Sequence, residues 1–233
     1  MAVIENTGIY TLMKPAILAH PDNLFVARGF GKKGKETGEA KFSANFVFEP
    51  DSEDLKGMKA TAARVARAKW PNRDFKELSF PFKSGDKLAD ARKAKSGKDD
   101  GDFQRGKVVV AGRSKYEPRL SGVENGKVVD YEGDARKQAK SKFYFGVEAL
   151  AQFNFVAYEG VGNNPDGVTA YLNMVHTTNR GKRLASGTSA AETFKDYAGH
   201  ASQEDPTGGA SMDDEIPFSG IGGSVRVLSP ETP

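Results

Sequence analysis

The cleanest alternation of apolar and polar positions runs over Lys41–Glu49. Phe42, Ala44, Phe46 and Phe48 fall in one phase, and Ser43, Asn45 and Val47 in the other. A period of two predicts a strand with one buried side. A longer alternation spans Lys142–Tyr158, where Val147, Ala149, Ala151, Phe153, Phe155 and Ala157 interleave with Glu148, Gln152 and Asn154. It exceeds the usual strand of ~5–6 residues, so a bend is expected, and Gly146 offers the place. The stretch GVGNNPDG then predicts a hairpin loop, with Val168–Thr178 as the returning strand. Lys107–Gly112 predicts a buried strand, and Asn125-Gly126 a hairpin turn. Residues 9–30 hold one or two short strands broken by Pro15 and Pro21. Phe75–Phe82 is expected to be an edge strand, because Pro81 cannot donate to a ladder.

One segment changes period. After Asp51 and Ser52, either of which can cap a helix, Leu55, Met58, Ala62, Val65 and Ala66 form a narrow apolar stripe. Lys59, Arg64, Arg67 and Lys69 crowd toward the C-terminal end, and Pro71 stops the helix. Lys83–Arg105 is highly charged and predicts a short helix and a loop. Arg28–Glu39 is rich in glycine and lysine without apolar periodicity, which predicts a mobile basic loop. From about Gly181 the chain turns to Gly, Ser, Ala, Thr and acids, a composition that cannot bury enough apolar surface to order itself. The expected division is a folded domain over 1–187 and a disordered acidic tail over 188–233. No internal repeat is present. The expected fold class is mainly β: an OB-fold-type small barrel with an inserted helix and long basic loops. A β-sandwich is the main rival.

The chain of 233 residues can bury a core without staples, and it has no cysteine, hence no disulfide, thiolate metal site or cysteine nucleophile. The first ten residues lack a basic region followed by an apolar run, so no signal peptide is expected. No stretch approaches the ~18 consecutive apolar residues of a membrane span. These features lead to the expectation of a soluble intracellular protein. Charge is unevenly spread. Residues 1–199 carry 33 Lys and Arg against 25 Asp and Glu, a net +8. Beyond them, Arg226 stands alone against six acids, a net −5. A basic body suggests a polyanionic partner.

Motifs for catalysis are weak. Gly29–Lys35 nearly spells a phosphate loop, but Glu36 stands where Ser or Thr would hold magnesium. His20, His176 and His200 lack ligand spacing. Asp99, Asp100 and Asp102 are the one cluster a metal-dependent nuclease could use, although they lie in a polar, Gly-rich loop better suited to a solvated charge run. The sequence asks for no cofactor and no bound metal.

Cations interleaved with flat side chains are commoner. Sequence-independent binding of single strands takes cations along the phosphates and aromatic rings under the bases, each stacked base contributing about 1–3 kcal/mol. Four stretches combine the two: Arg28, Phe30, Lys32 and Lys33; Lys69, Trp70 and Arg73; Arg113, Lys115, Tyr116 and Arg119; and Lys142 with Tyr144. Trp70, at a helix end, is better suited to anchoring the core than to stacking on a base. Tyr144, Tyr158 and Tyr171 fit either role. Tyr116, flanked by Lys115 and Arg119 with little apolar company, is the strongest candidate.

Met212-Asp213-Asp214-Glu215-Ile216-Pro217-Phe218 is a compact acidic-then-apolar peptide. It suits a basic-rimmed apolar pocket, with acids steering and Ile216 and Phe218 filling the hole. It resembles the C-terminal tip of bacterial single-stranded-DNA-binding proteins. The body is similar instead to a family of tailed-phage single-stranded-DNA-binding proteins with an OB fold, through Ser114-Lys115-x-x-Pro118 and the pattern from Phe143 to Gly187. That resemblance implies protection of exposed strands in phage replication and recombination, in the cytoplasm of the infected bacterial host, by a monomer or dimer. Partners recruited through Asp213, Asp214, Glu215, Ile216, Pro217 and Phe218 are implied by the tip. One departure is plain: in the bacterial tips the last Phe carries the free carboxylate, whereas SGIGGSVRVLSPETP follows Phe218 here. Two alternatives stay open, an enzyme using the Asp99–Asp102 cluster and a protein-interaction module that binds no nucleic acid.

Overall fold

The computed structural model describes residues 8–32, 35–97, 99, 101–162 and 164–184. The elements in chain order are β1 (Ile9–Thr11), β2 (Ala16–Ala19), β3 (Arg28–Lys32), β4 (Lys35–Phe48), α1 (Glu53–Lys69), β5 (Phe82–Ser84), α2 (Gly85–Ser96), β6 (Val108–Ser114), β7 (Arg119–Glu124), β8 (Lys127–Tyr131), α3 (Gly133–Gln138), β9 (Glu148–Tyr158) and β10 (Gly167–Thr177). The protein is mainly β with a few helices. β2 pairs β4, β4 pairs β6, β6 pairs β10, β10 pairs β9, and β9 returns to β2, so the pairings close a ring. Within the ring only β6 and β10 run parallel.

The alternations place side chains as periodicity requires. Ala44, Phe46 and Phe48 of β4 and Ala149, Ala151, Phe153 and Phe155 of β9 enter one core with Val110, Val168, Ala170 and Leu172. Phe46 meets Phe153 edge-on at 5.3 Å. α1 starts at Ser52, whose side chain accepts the Leu55 N–H, and it buries Leu55, Met58, Ala62 and Ala66 in the same core. Leu55 and Met58, with no exposed surface, contribute roughly 1.5–3 kcal/mol each, and the two alanines less. The buried Asp54 fastens the N-terminal segment: it accepts from the Tyr10 hydroxyl (3.0 Å) and from the Met13 and Lys14 amides (3.0 and 2.9 Å). A second, smaller core lies on the outer side of the ring. Ala19, Val47 and Val109 pack there with Leu88 of α2, Phe103 and Phe145. α2 therefore covers one end of the outer face of β4 and β6.

Three segments depart from expectation. Within Arg28–Glu39, expected as a loop, residues 28–32 and 35–39 are strand: β3 pairs with the first half of β4, Arg28 opposite Lys41 and Lys32 opposite Lys35. The well-anchored half of β4 extends its ladder into a stretch whose composition carries no strand signal. Phe75–Phe82 is not a strand. Asp74 accepts the Lys76 amide and starts a one-turn helix at Phe75–Glu77, Ser79 makes a lone bridge to Gly167, and Phe82–Ser84 pairs with β6. The long strand begins at Glu148 rather than Lys142, because Gly146 takes φ 98° and ends its extended run. Ahead of it come α3 and a one-turn helix at Ala139–Lys142, neither anticipated. The acidic tail over 188–233, Lys33 and Asp100 lie outside the described residues.

Candidate nucleic-acid interface

The phase of β4 that faces away from the core carries Lys41 and Ser43, and the matching phase of β6 carries Ala111 and Arg113. β10 adds Thr169 and Tyr171, with Tyr171 in register with Arg113. α2 does not cover this end. The result is a groove of about 580 Å³ whose lining includes Lys41, Lys83, Arg113, Phe80, Tyr158 and Tyr171. Its far wall is the β9–β10 connection, with Val161 and Pro165. Arg28, exposed and opposite Lys41 on the β3–β4 ribbon, flanks the other side. Farther along the β6–β10 pair lies a second depression of about 360 Å³, bounded by Ser114, Tyr116, Arg119, Gln152 and Asn173.

Three aromatic side chains are exposed among the described residues: Tyr116 at 77%, Tyr158 at 36% and Tyr171 at 38%. All three line this track. Of the cations beside them, Lys83 and Arg119 are exposed and Lys41 and Arg113 half-buried. Burial, then the neighbouring Arg113, holds the Lys83 ammonium below its ordinary pKa. Burial likewise lowers Arg113, with Tyr158 acting in the opposite sense, and a guanidinium stays charged at neutral pH regardless. Lys83 and Arg113 repel each other across the groove, and an anion near both lowers that repulsion.

The carboxylates on the far wall are already occupied. Glu159 pairs with Lys69 at the end of α1 (2.8 Å). Asp166 pairs with Arg73 and also accepts the Gly160 amide at 2.6 Å. Asp166 sits below the usual carboxylate range, first because of that amide and then because of Arg73.

The residues singled out from sequence divide accordingly. Arg113, Tyr116 and Arg119 lie on the track, and Arg28 beside it. Lys115 is next to it but pairs with Glu39 at 2.7 Å. Phe30 and Lys32 lie on β3, with side chains outside the described residues, as is the whole of Lys33. Trp70 packs half-buried against the main core, and Arg73 is engaged by Glu77 and Asp166. Lys142 pairs with Glu124 and lies 5.0 Å over the Tyr131 ring. The Tyr144 hydroxyl donates to the Gly181 carbonyl at 2.9 Å, and Arg183 covers its ring. Neither Lys142 nor Tyr144 borders either depression. Of the acidic cluster, Asp99 pairs with Lys93 and Asp102 with Arg105. Among the described residues no group of three or more potential ligands is poised for a metal, and no helix is long and apolar enough to cross a membrane.

Lys41 and Lys83 were missed from sequence, and Tyr158 and Tyr171 were left ambiguous. The usable signal was phase: Tyr171 sits between the buried Ala170 and Leu172, in the outward series with Thr169 and Asn173.

The profile of the family described as Enterobacter phage Enc34, ssDNA-binding protein, matches residues 22–206. The chain belongs to this family. Solved structures of the Enc34 protein share its fold. The single-stranded DNA-binding protein from bacteriophage Enc34 with a C-terminal truncation superposes with a TM-score of 0.54 at 15% identity, over 78% of this chain and 95% of that one. The same phage protein in complex with ssDNA gives a TM-score of 0.54 at 15% identity, over 80% and 97%. The single-stranded DNA binding protein gp2.5 encoded by bacteriophage T7 superposes more loosely, with a TM-score of 0.45 at 10% identity over 88% and 100%. No protein of curated function matches the sequence. Within the Enc34 family, the groove across β4, β6 and β10 is this chain's candidate contact surface.

Proposed function

We propose that this chain binds single-stranded DNA without sequence preference along the track from Val161 and Tyr158, past Arg113 and Tyr171, to Tyr116 and Arg119. The observation that carries the reading is the gathering of Tyr116, Tyr158 and Tyr171 beside Lys41, Lys83, Arg113 and Arg119 on one face. Rings on such a face stack on bases of any identity, and the cations meet phosphates, which is what non-specific binding requires. Tyr171 and Arg113, side by side in register, supply one of each.

The ring of five strands is taken as an OB-type barrel. Its order β2-β4-β6-β10-β9, with β6 and β10 parallel, supports this, as does the place of the groove. OB folds bind oligonucleotides on their second and third strands and on the first and fourth connections. Here those are β4, β6, the β3–β4 ribbon and the β9–β10 loop. Residues 1–187 form the binding domain in this proposal. Residues 188–233 form a tail whose Asp213–Phe218 peptide contacts replication or recombination proteins in the host cytoplasm.

The test is a fluorescence titration with a deoxythymidine oligomer and with a duplex of equal length, at low and moderate salt. Tight, salt-sensitive binding to the single strand with much weaker duplex binding is expected, because stacking needs unpaired bases. Equal affinity for both would overturn the stacking track.

A further inference from the structure

We infer that the exposed face of α1 is a second contact surface for single-stranded DNA, continuing the strand's path out of the groove; this rests on the groove reading above. Between Asp54 and Asp74 the chain holds six cations and no acid: Lys56, Lys59, Arg64, Arg67, Lys69 and Arg73. Lys56, Lys59, Arg64, Arg67 and Lys69 are exposed. Lys56, Lys59, Ala60, Ala63, Arg64 and Arg67 are linked by spacings of three (56/59, 60/63, 64/67) and four (56/60, 59/63, 60/64, 63/67), so they form one stripe along the helix. With a rise of about 1.5 Å per residue, Lys56 to Lys69 spans roughly 20 Å.

A helix face that is merely solvated mixes signs, because alternating charges support the helix through pairs three and four apart. α2 does so, with Asp86 and Asp90 among Lys87, Arg92, Lys93 and Lys95. α1 does not. Its stripe places the small Ala60 and Ala63 between cations, which leaves room for a phosphate backbone to lie close.

The stripe also leads to the groove. The Arg67 guanidinium lies 4.7 Å over the Phe75 ring, Phe75 meets Phe80 edge-on at 5.8 Å, and Phe80 lines the groove. Lys69 reaches Glu159 of the groove's far wall at 2.8 Å. A strand leaving past the β9–β10 connection therefore meets the C-terminal end of α1 first and can run back along it.

The experiment compares Lys56→Ala/Lys59→Ala/Arg64→Ala with the unaltered protein on two deoxythymidine oligomers. One has about 6 nucleotides, enough for the groove alone, and the other about 18. Alanine at exposed helix positions keeps the helix. A matched control, Lys87→Ala/Lys93→Ala/Lys95→Ala, removes equal charge from α2. The expected result is unchanged binding of the short oligomer by the α1 variant. On the long one its affinity falls at least about tenfold, and the slope of log K against log salt flattens by about 2, near 0.7 per lost phosphate contact. The α2 control should show no such length dependence. Equal losses on both oligomers, an equal effect of the control, or full retention of long-oligomer affinity would each overturn the inference. Failure of the unaltered protein to bind either oligomer would overturn the groove reading and the stripe together.

Discussion

Tyr171→Ala and Arg113→Ala sit in register on neighbouring strands, yet they should fail differently. The Tyr171 ring lies on the outer phase of β10 at 38% exposure, while Ala170 and Leu172 on either side fill the core. Deleting the ring therefore leaves the core intact, and the unfolding midpoint should hold. What is lost is one stacking plate, about 1–3 kcal/mol. At about 1.4 kcal/mol per factor of ten, that predicts an affinity about 5- to 140-fold weaker. Tyr171 touches no phosphate in this scheme, so the salt slope should not move. Arg113→Ala removes a charge instead: affinity falls and the slope flattens by about 0.7. The assay is a set of titrations of a deoxythymidine oligomer at four or more salt concentrations, with thermal melts alongside. A Tyr171→Ala variant that binds as tightly as the parent, or that flattens the salt slope as Arg113→Ala does, would refute the division of labour between ring and cation.

Three further outcomes follow from the architecture. Asp54→Ala leaves the Tyr10 hydroxyl and the Met13 and Lys14 amides without their acceptor. Urea unfolding should show a loss of roughly 2–4 kcal/mol, whereas Tyr10→Phe, which removes one donor, should lose about 1 kcal/mol. Burial holds the His176 imidazole below its ordinary value, with Asp130 opposing. The unfolded chain therefore binds more protons in the window just below pH ~6.5, so stability should decline as pH falls through that window. His176→Gln should flatten this part of the stability–pH curve. Asp166→Asn weakens the hold on both Arg73 and the Gly160 amide. Hydrogen exchange should then show lost protection at Gly160, and single-strand affinity should fall with an unchanged salt slope, because no phosphate contact is removed.

The strands that shape the core were legible because one face of each is buried. Phe42–Phe48 and Val147–Phe155 announce their inward residues by phase alone, and α1 by its stripe and its Ser52 cap. The β3–β4 ribbon was not legible. Its glycines and lysines have no inward phase, and its pairing is imposed by the anchored half of β4. The break before Glu148 depended on a single positive φ at Gly146, which alternation on both sides conceals. For the site, local clustering of cations with aromatics singled out Lys142 with Tyr144 and Trp70 with Arg73, away from or at the margin of the groove that the fold forms. Proximity in sequence says nothing of which carboxylate waits across the fold, and Glu124 and Asp166 wait there. Lys83 joins Arg113 only through the tertiary pairing of β5 and β6, so no local pattern foretold it.

The closed ring also sets a timetable for the nascent chain. β2, only four residues long, pairs with β4 soon after synthesis, but its other neighbour is β9, where Ala16 meets Ala149. The parallel partner of β6 is later still, since Ala170 meets Gly112 only once β10 has left the ribosome. Until then the inward edges of β2 and β6 stand open, and Phe46 lacks the Phe153 ring that covers it. Closure through such distant pairings is slow, and open edges are where chains aggregate. Shortened chains that stop before β10 are therefore expected to accumulate as insoluble protein, whereas a chain cut after residue 184 retains every strand of the ring.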